Sequence, residues 1–193
     1  MKEIIIATNN KGKIEEFNDI FENKVILRTL KEVGFEGEII ENGNTFIENA
    51  LIKCKTIYDI YKKPVLADDS GLCVNALEGA PGVFSARYGD EGLTDKDRYL
   101  LLLKNLEGKN DRTAAFVCAL VLYKNPNQIY VIQEEFKGEI TKNPRGENGF
   151  GYDPVFFLKD YDKTVAELPN EIKNKISHRA KASFIMKKII FAL

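Results

Sequence analysis

The stretch Ile4-Ile5-Ile6-Ala7-Thr8-Asn9-Asn10-Lys11-Gly12-Lys13 decides the fold class. A short, wholly apolar run has the pattern of a strand buried on both faces, as in parallel sheets. It stops at polar residues, and Ile14, Phe17, Ile20 and Phe21 then recur with helical spacing. Strand, corner and helix in that order open an α/β unit. Val25 to Leu30 predicts a second strand, and Glu32 to Asn44 reads mostly as loop.

The same patterning extends down the chain. Thr45 and Glu48 fit a capping box ahead of the stripe Phe46, Ala50, Cys54, Ile57 and Tyr61, and Pro64 ends that helix. Val65 to Ala67 predicts a short buried strand, broken by Asp68-Asp69-Ser70-Gly71 and resumed over Leu72 to Val74. Gly79-Ala80-Pro81-Gly82 is a turn, and Thr94 with Asp97 starts a helix that Tyr99 to Leu106 carries into the core. Thr113 to Tyr123 and Ile129 to Ile140 read as partner strands joined at Asn125-Pro126-Asn127. A glycine-rich stretch from Arg145 to Pro154 precedes a strand at Val155 to Leu158. Ile176, Ala180, Phe184, Met186 and Ile189 mark one face of a C-terminal helix. The expectation is α/β: a mixed β-sheet flanked by helices, in a single domain spanning residues 1–193.

Composition removes most function classes. With 193 residues and 44% hydrophobic content the chain can bury about 70% of its surface, enough for one real core. Charged residues make up 30% and no apolar run approaches the length of a spanning helix. Twenty-eight basic residues oppose 29 acidic ones, a balance that disfavours general nucleic-acid binding. Cys54, Cys73 and Cys118 are widely spaced and odd in number, which predicts buried thiols in a reducing compartment. His178 is the only histidine, excluding the H-E-x-x-H hydrolases and three-histidine zinc sites. The N-terminus lacks signal-peptide organisation, so a cytoplasmic protein is expected.

Four clusters carry chemistry. The corner Thr8 to Lys13 offers backbone N–H groups, a helix N-terminus and an ammonium to phosphate oxygens, without the glycine spacing of a Walker loop. It equally reads as a solvated helix cap. Asp68-Asp69 sets two like charges side by side at a sheet edge, where a cation or water must relieve them. Glu41, after Ile39-Ile40, could add a second hard oxygen for Mg²⁺; the plainer reading is a turn capped by one of the two aspartates. Gly146 to Pro154 concentrates flexibility around Phe150, Tyr152 and Asp153, as suits stacking on a flat base or an ordinary glycine loop. Lys173, Asn174, Lys175, Ser177, His178 and Arg179 group polar donors near the start of the last helix, or simply cap it.

The same residues give the chain a strong resemblance to the inosine triphosphate pyrophosphatase family, running from Ile4 to Ala182. It is carried in order by Ala7 to Lys13 with Glu16, by Glu41 to Ala50 with Lys53, by Ala67 to Leu72 and then Leu77 to Tyr88, by Gly149 to Pro154, and by Ser177-His178-Arg179. Asn9 and Asn148 stand where the family often has glycine. The resemblance implies an elongated two-lobed α/β unit with a central cleft. It implies hydrolysis of non-canonical purine triphosphates (ITP, dITP and XTP) to the monophosphate and pyrophosphate, and pairing as a homodimer. By similarity Glu41 and Asp69 would hold Mg²⁺, with Asp69 as proton acceptor and Asp68 and Lys13 beside it. Thr8, Asn10, Lys13, Lys53 and Ser70 would bind the triphosphate, and Glu16 is a supporting or second-metal candidate. Phe150, Gly151 and Tyr152 would take the base, with Asp153, Lys173, His178 and Arg179 at its edge. Rival readings are a pyrophosphohydrolase of different base specificity, a non-catalytic nucleotide-binding protein and an RNA-binding protein.

Overall fold

In the computed structural model, which describes residues 2–21 and 25–193, the opening apolar run is strand β1 (Lys2–Ile6). It leads through the polar corner into helix α1 (Lys11–Phe21). Strand β2 (Val25–Thr29) pairs with β1 in parallel, and β1 also pairs in parallel with β3 (Val65–Val74) through Ile5↔Val65 and Ile6↔Leu66. Helix α2 (Phe46–Tyr61) precedes β3, and α3 (Asp95–Asn105) follows it. Strands β4 (Thr113–Asn125) and β5 (Gln128–Ile140) are neighbours joined by two residues, which only an antiparallel pair allows. Two short antiparallel strands, β6 (Phe156–Leu158) and β7 (Lys163–Thr164), complete the order β2-β1-β3-β4-β5-β6-β7. Helices α4 (Asn170–Ile176) and α5 (His178–Ala192) end the chain. The mixed, helix-flanked sheet is the one expected.

The chain divides into two compact units. The first takes the described residues up to Asp69 together with Cys118–Glu134 and His178–Leu193; the second takes Ser70–Val117 and Glu135–Ser177. In the first, strand alternation sorts the core onto two faces. Ile4, Ile6, Leu66, Leu120 and Leu122 meet Phe17 and Phe21 of α1 and Ala182, Met186 and Ile190 of α5. Ile5, Ala7, Val65, Ala67, Val121 and Tyr123 meet Ala50, Cys54 and Ile57 of α2. Each fully buried Ile, Leu or Phe among them stabilises by about 1.5–3 kcal/mol, so helices on both faces are the low-energy arrangement. In the second unit Leu102 and Leu106 join Phe116, Phe136 and Phe156, whose ring centroids lie 4.5 Å (Phe116–Phe156) and 5.8 Å (Phe136–Phe156) apart.

Three expectations change. β3 runs unbroken through Asp68-Asp69-Ser70-Gly71, as an interior strand between β1 and β4, so the acids form neither a turn nor a sheet edge. Their charges are met by cations from elsewhere in the fold, and the backbone keeps its ladder. Ile176 belongs to α4: Ser177 is extended, and its N–H donates to the Lys173 carbonyl at 3.0 Å, closing that helix before α5 begins. Phe184 is 41% exposed and lies off the buried stripe of α5. The cysteines are free, with Cys54 and Cys118 buried. Among the described residues no helix is long and apolar enough to cross a membrane.

Candidate active site

Side-chain parity on β3 decides what each aspartate meets. Leu66 faces α1 and α5, so Asp68 turns the same way; Val65 and Ala67 face α2, and Asp69 follows them. Asp68 is fully buried and forms an ion pair with the Lys13 ammonium. Arg179 Nε donates to its other oxygen at 2.9 Å, and the Cys118 thiol donates to that same oxygen at 3.2 Å. Arg179 Nη1 reaches Glu16 Oε2 at 2.5 Å. Burial alone would raise the Asp68 carboxyl, but Arg179 and Lys13 hold it well below the usual carboxylate range. Burial and Asp68 together push the Cys118 thiol well above its ordinary value, leaving it inert.

Lys13 owes its place to the corner before it. Asn10 Oδ1 accepts the Lys13 N–H at 3.0 Å, and Thr8 Oγ1 accepts the Asn10 N–H at 3.2 Å, so both polar residues shape the first turn of α1.

On the opposite face α2 starts at a capping box. Thr45 Oγ1 accepts the Glu48 N–H at 3.1 Å, and Glu48 Oε2 accepts the N–H groups of Asn44 and Thr45 at 2.7 and 3.2 Å. One turn and two turns on, Asn49 and Lys53 line up toward β3. Lys53 Nζ donates to Asp69 Oδ1 at 3.1 Å and to Glu41 Oε2 at 2.8 Å. Burial would lower the Lys53 ammonium, yet Asp69 and Glu41 raise it above its ordinary value. Asp69 shifts upward, because its burial, with the nearby Glu41, outweighs Lys53 and Lys13.

Two hard carboxylates from separate segments therefore converge on one buried cation. Among the described residues no three His, Cys, Asp or Glu side chains group as metal ligands. Mg²⁺ is commonly held by one or two carboxylates, with water and substrate phosphates filling its octahedron, so the Glu41–Asp69 set fits it.

Ser70, the next residue of β3, opens the second unit, and the base-loop candidates lie in that unit too. Asp153 Oδ2 accepts the Phe150 N–H at 3.0 Å and the Lys173 ammonium at 2.6 Å, and the ammonium lies 4.5 Å from the Phe150 ring centroid. The Gly151 N–H donates to Asp95 of α3 at 2.9 Å, and the Tyr152 hydroxyl donates to the Ser85 carbonyl at 2.9 Å. Tyr152 thus anchors the loop from beneath.

The first unit brings together Thr8, Asn10, Lys13, Glu16, Glu41, Lys53, Asp68, Asp69, His178 and Arg179; the second holds Ser70, Phe150, Gly151, Tyr152, Asp153 and Lys173. His178 is buried in the first turn of α5, not a surface cap. Arg179 is 1% exposed, and its guanidinium pairs with Asp68 and Glu16. Asn49, Asp95 and Ser85 were not foreseen. Asn49 was legible in principle, because it stands four residues before Lys53 on the same helical face.

A family model described as the Ham1 family matches residues 4–189. A dITP/XTP pyrophosphatase of Bacillus licheniformis is 50% identical over 185 residues, covering 94% of both chains. The dITP/XTP pyrophosphatase of Bacillus subtilis is 46% identical over 195 residues, covering 100% of this chain and 98% of its own. A solved HAM1 protein from Coxiella burnetii matches with a TM-score of 0.92 at 38% identity over the whole of both chains. The Staphylococcus aureus Ham1 protein matches at 0.90 with 40% identity, covering 99% of each.

Proposed function

The chain belongs to the Ham1 family, and we propose that it hydrolyses non-canonical purine nucleoside triphosphates (dITP, ITP and XTP) to the monophosphate and pyrophosphate. The observation that carries this reading is the convergence of Glu41 and Asp69 on one buried cation, Lys53. Glu41 and Asp69 would hold Mg²⁺, which draws charge from phosphate oxygens and makes water a better nucleophile at neutral pH. Lys13 and Lys53 neutralise charge that builds on the departing pyrophosphate, while Thr8, Asn10 and Ser70 donate to its oxygens. Asp69 would accept the proton of the water that attacks the α-phosphorus. Asp68 stays ionised and holds Lys13 at the corner.

Base selection must turn away the abundant ATP and GTP. Phe150 supplies a stacking face. Gly151 and Tyr152 carry the loop backbone alongside it, and Asp153 orients Lys173. The proposed donors to O6 of hypoxanthine or xanthine are Lys173 of the second unit and, separately, His178 of the first; adenine carries there an amino group that cannot accept. Arg179, committed to two carboxylates, is assigned here to positioning Asp68. The same reading makes residues 1–193 one catalytic domain, active as a homodimer in the cytoplasm. Pyrophosphate release from dITP, ITP and XTP beside ATP and GTP, with and without Mg²⁺, tests it. Fast, Mg²⁺-dependent turnover of the first three is expected; a preference for ATP or GTP would replace the base assignment, and no turnover at all would remove the catalytic one.

A further inference from the structure

Asn49 is 1% exposed and holds two groups at once. Its Oδ1 accepts the N–H of Gly43 at 2.8 Å, and its Nδ2 donates to Asp69 Oδ2 at 3.2 Å. The amide cannot be turned the other way. A backbone N–H only donates, so the oxygen must face Gly43 and the nitrogen must face the aspartate. Lys53, one helical turn later, takes the other oxygen of Asp69 and the carboxylate of Glu41. Two residues on one face of α2 thus bracket the Asp69 carboxylate, one oxygen each. Gly43 lies two residues from Glu41, so the same amide that fixes Asp69 also fixes the loop that carries its partner.

From this geometry we infer that Asn49 is a positioning residue for the reaction proposed above. It pins Asp69 Oδ2 and the Glu41 loop together, so that Asp69 Oδ1 and Glu41 Oε2 face a common cation. The inference rests on the Glu41–Asp69 reading of the site. A lysine alone would leave the carboxylate free to rotate about its Cβ–Cγ bond; a second donor on the other oxygen stops it. Outer hydrogen-bond partners of carboxylate ligands commonly change metal affinity or activity by 10- to 100-fold when removed.

The test compares wild type with Asn49→Leu, which keeps the branched shape and removes both bonds, and with Asn49→Asp, which keeps an acceptor for Gly43 and loses the donor to Asp69. Mn²⁺ binding to the free protein, followed by calorimetry, gives a readout independent of turnover. Folded Asn49→Leu should bind Mn²⁺ about 10- to 100-fold more weakly and lose kcat on dITP by a similar factor, with KM within about threefold. Should Asn49→Leu fail to fold, Asn49→Asp carries the decision, with kcat expected to fall at least about tenfold while circular dichroism stays native. Wild-type Mn²⁺ affinity and kcat in a folded variant would overturn the role of Asn49. Failure of the wild-type enzyme to hydrolyse dITP at all would instead strike the reading beneath it.

Discussion

A carboxylate with no access to water must be neutral or paired, and Asp68 is paired on both oxygens. Its folded pKa lies well below its unfolded value of about 3.9, so its ionisation stabilises the fold fully above that value and progressively less as pH falls toward the folded pKa. Asp68→Asn removes the buried charge that Arg179 and Lys13 share, leaves Arg179 with Glu16, and should cost about 3–5 kcal/mol at pH 7. The gap to wild type, read from urea unfolding midpoints at a series of pH values, should begin closing near pH 4; a gap unchanged down to pH 3 would show that Asp68 is not held ionised. Asp69→Asn has a different signature. It should lose at least about 10²-fold in kcat with native stability, and near-normal turnover of the folded variant would end the case for its role. Lys13→Ala should weaken every triphosphate by the same factor, because a phosphate contact carries no information about the base; kcat/KM across the substrate panel reads this directly.

Elements whose chemistry is local were legible in the sequence. The capping boxes at Thr45 and Thr94 involve side chains and backbone three residues apart, and both helices start where those residues predict. The unbroken course of β3 was not legible. It depends on Lys13, 55 positions from Asp68, and on Arg179, 111 positions away, and neither separation leaves a periodic trace. The candidate site divides the same way: its phosphate corner and acids could be read from residue type and the resemblance, whereas the commitment of Arg179 to two buried acids emerges only from packing. The loop that carries Phe150 offers a test at this scale. Gly149 and Gly151 both have positive φ, at 78° and 62°. A Cβ on Gly149 would strike the Asp153 carboxylate, while one on Gly151 meets nothing within 4 Å. Alanine at either position should cost about 1–2 kcal/mol of backbone strain. Only Gly149→Ala should also displace Asp153, with its hold on Lys173, and raise KM for dITP by roughly tenfold or more beyond Gly151→Ala. Equal KM values for the two variants would detach Asp153 from base recognition.

At the scale of the molecule, the proposed homodimer is decided by mass. Sedimentation equilibrium at micromolar concentration should return twice the chain mass of 21.9 kDa. A clean monomer at that concentration would refute the pairing, since a stable interface buries about 1,200 Å² or more. The first compact unit, meanwhile, is assembled from three separated stretches of chain, the last of them α5. Translation adds about 5–20 residues per second, so Glu16 and Asp68 leave the ribosome's catalytic centre long before the guanidinium that pairs with both has been made. The wait for Arg179 after Asp68 is roughly 5–20 s. During that time the nascent chain has its Thr8–Lys13 corner and both aspartates yet no closed core on the α1 face of β1 and β3. A message broken before codon 179 therefore yields a polypeptide that carries Lys13 and Lys53 but lacks both α5 and the guanidinium shared by Glu16 and Asp68, and so stays open to degradation.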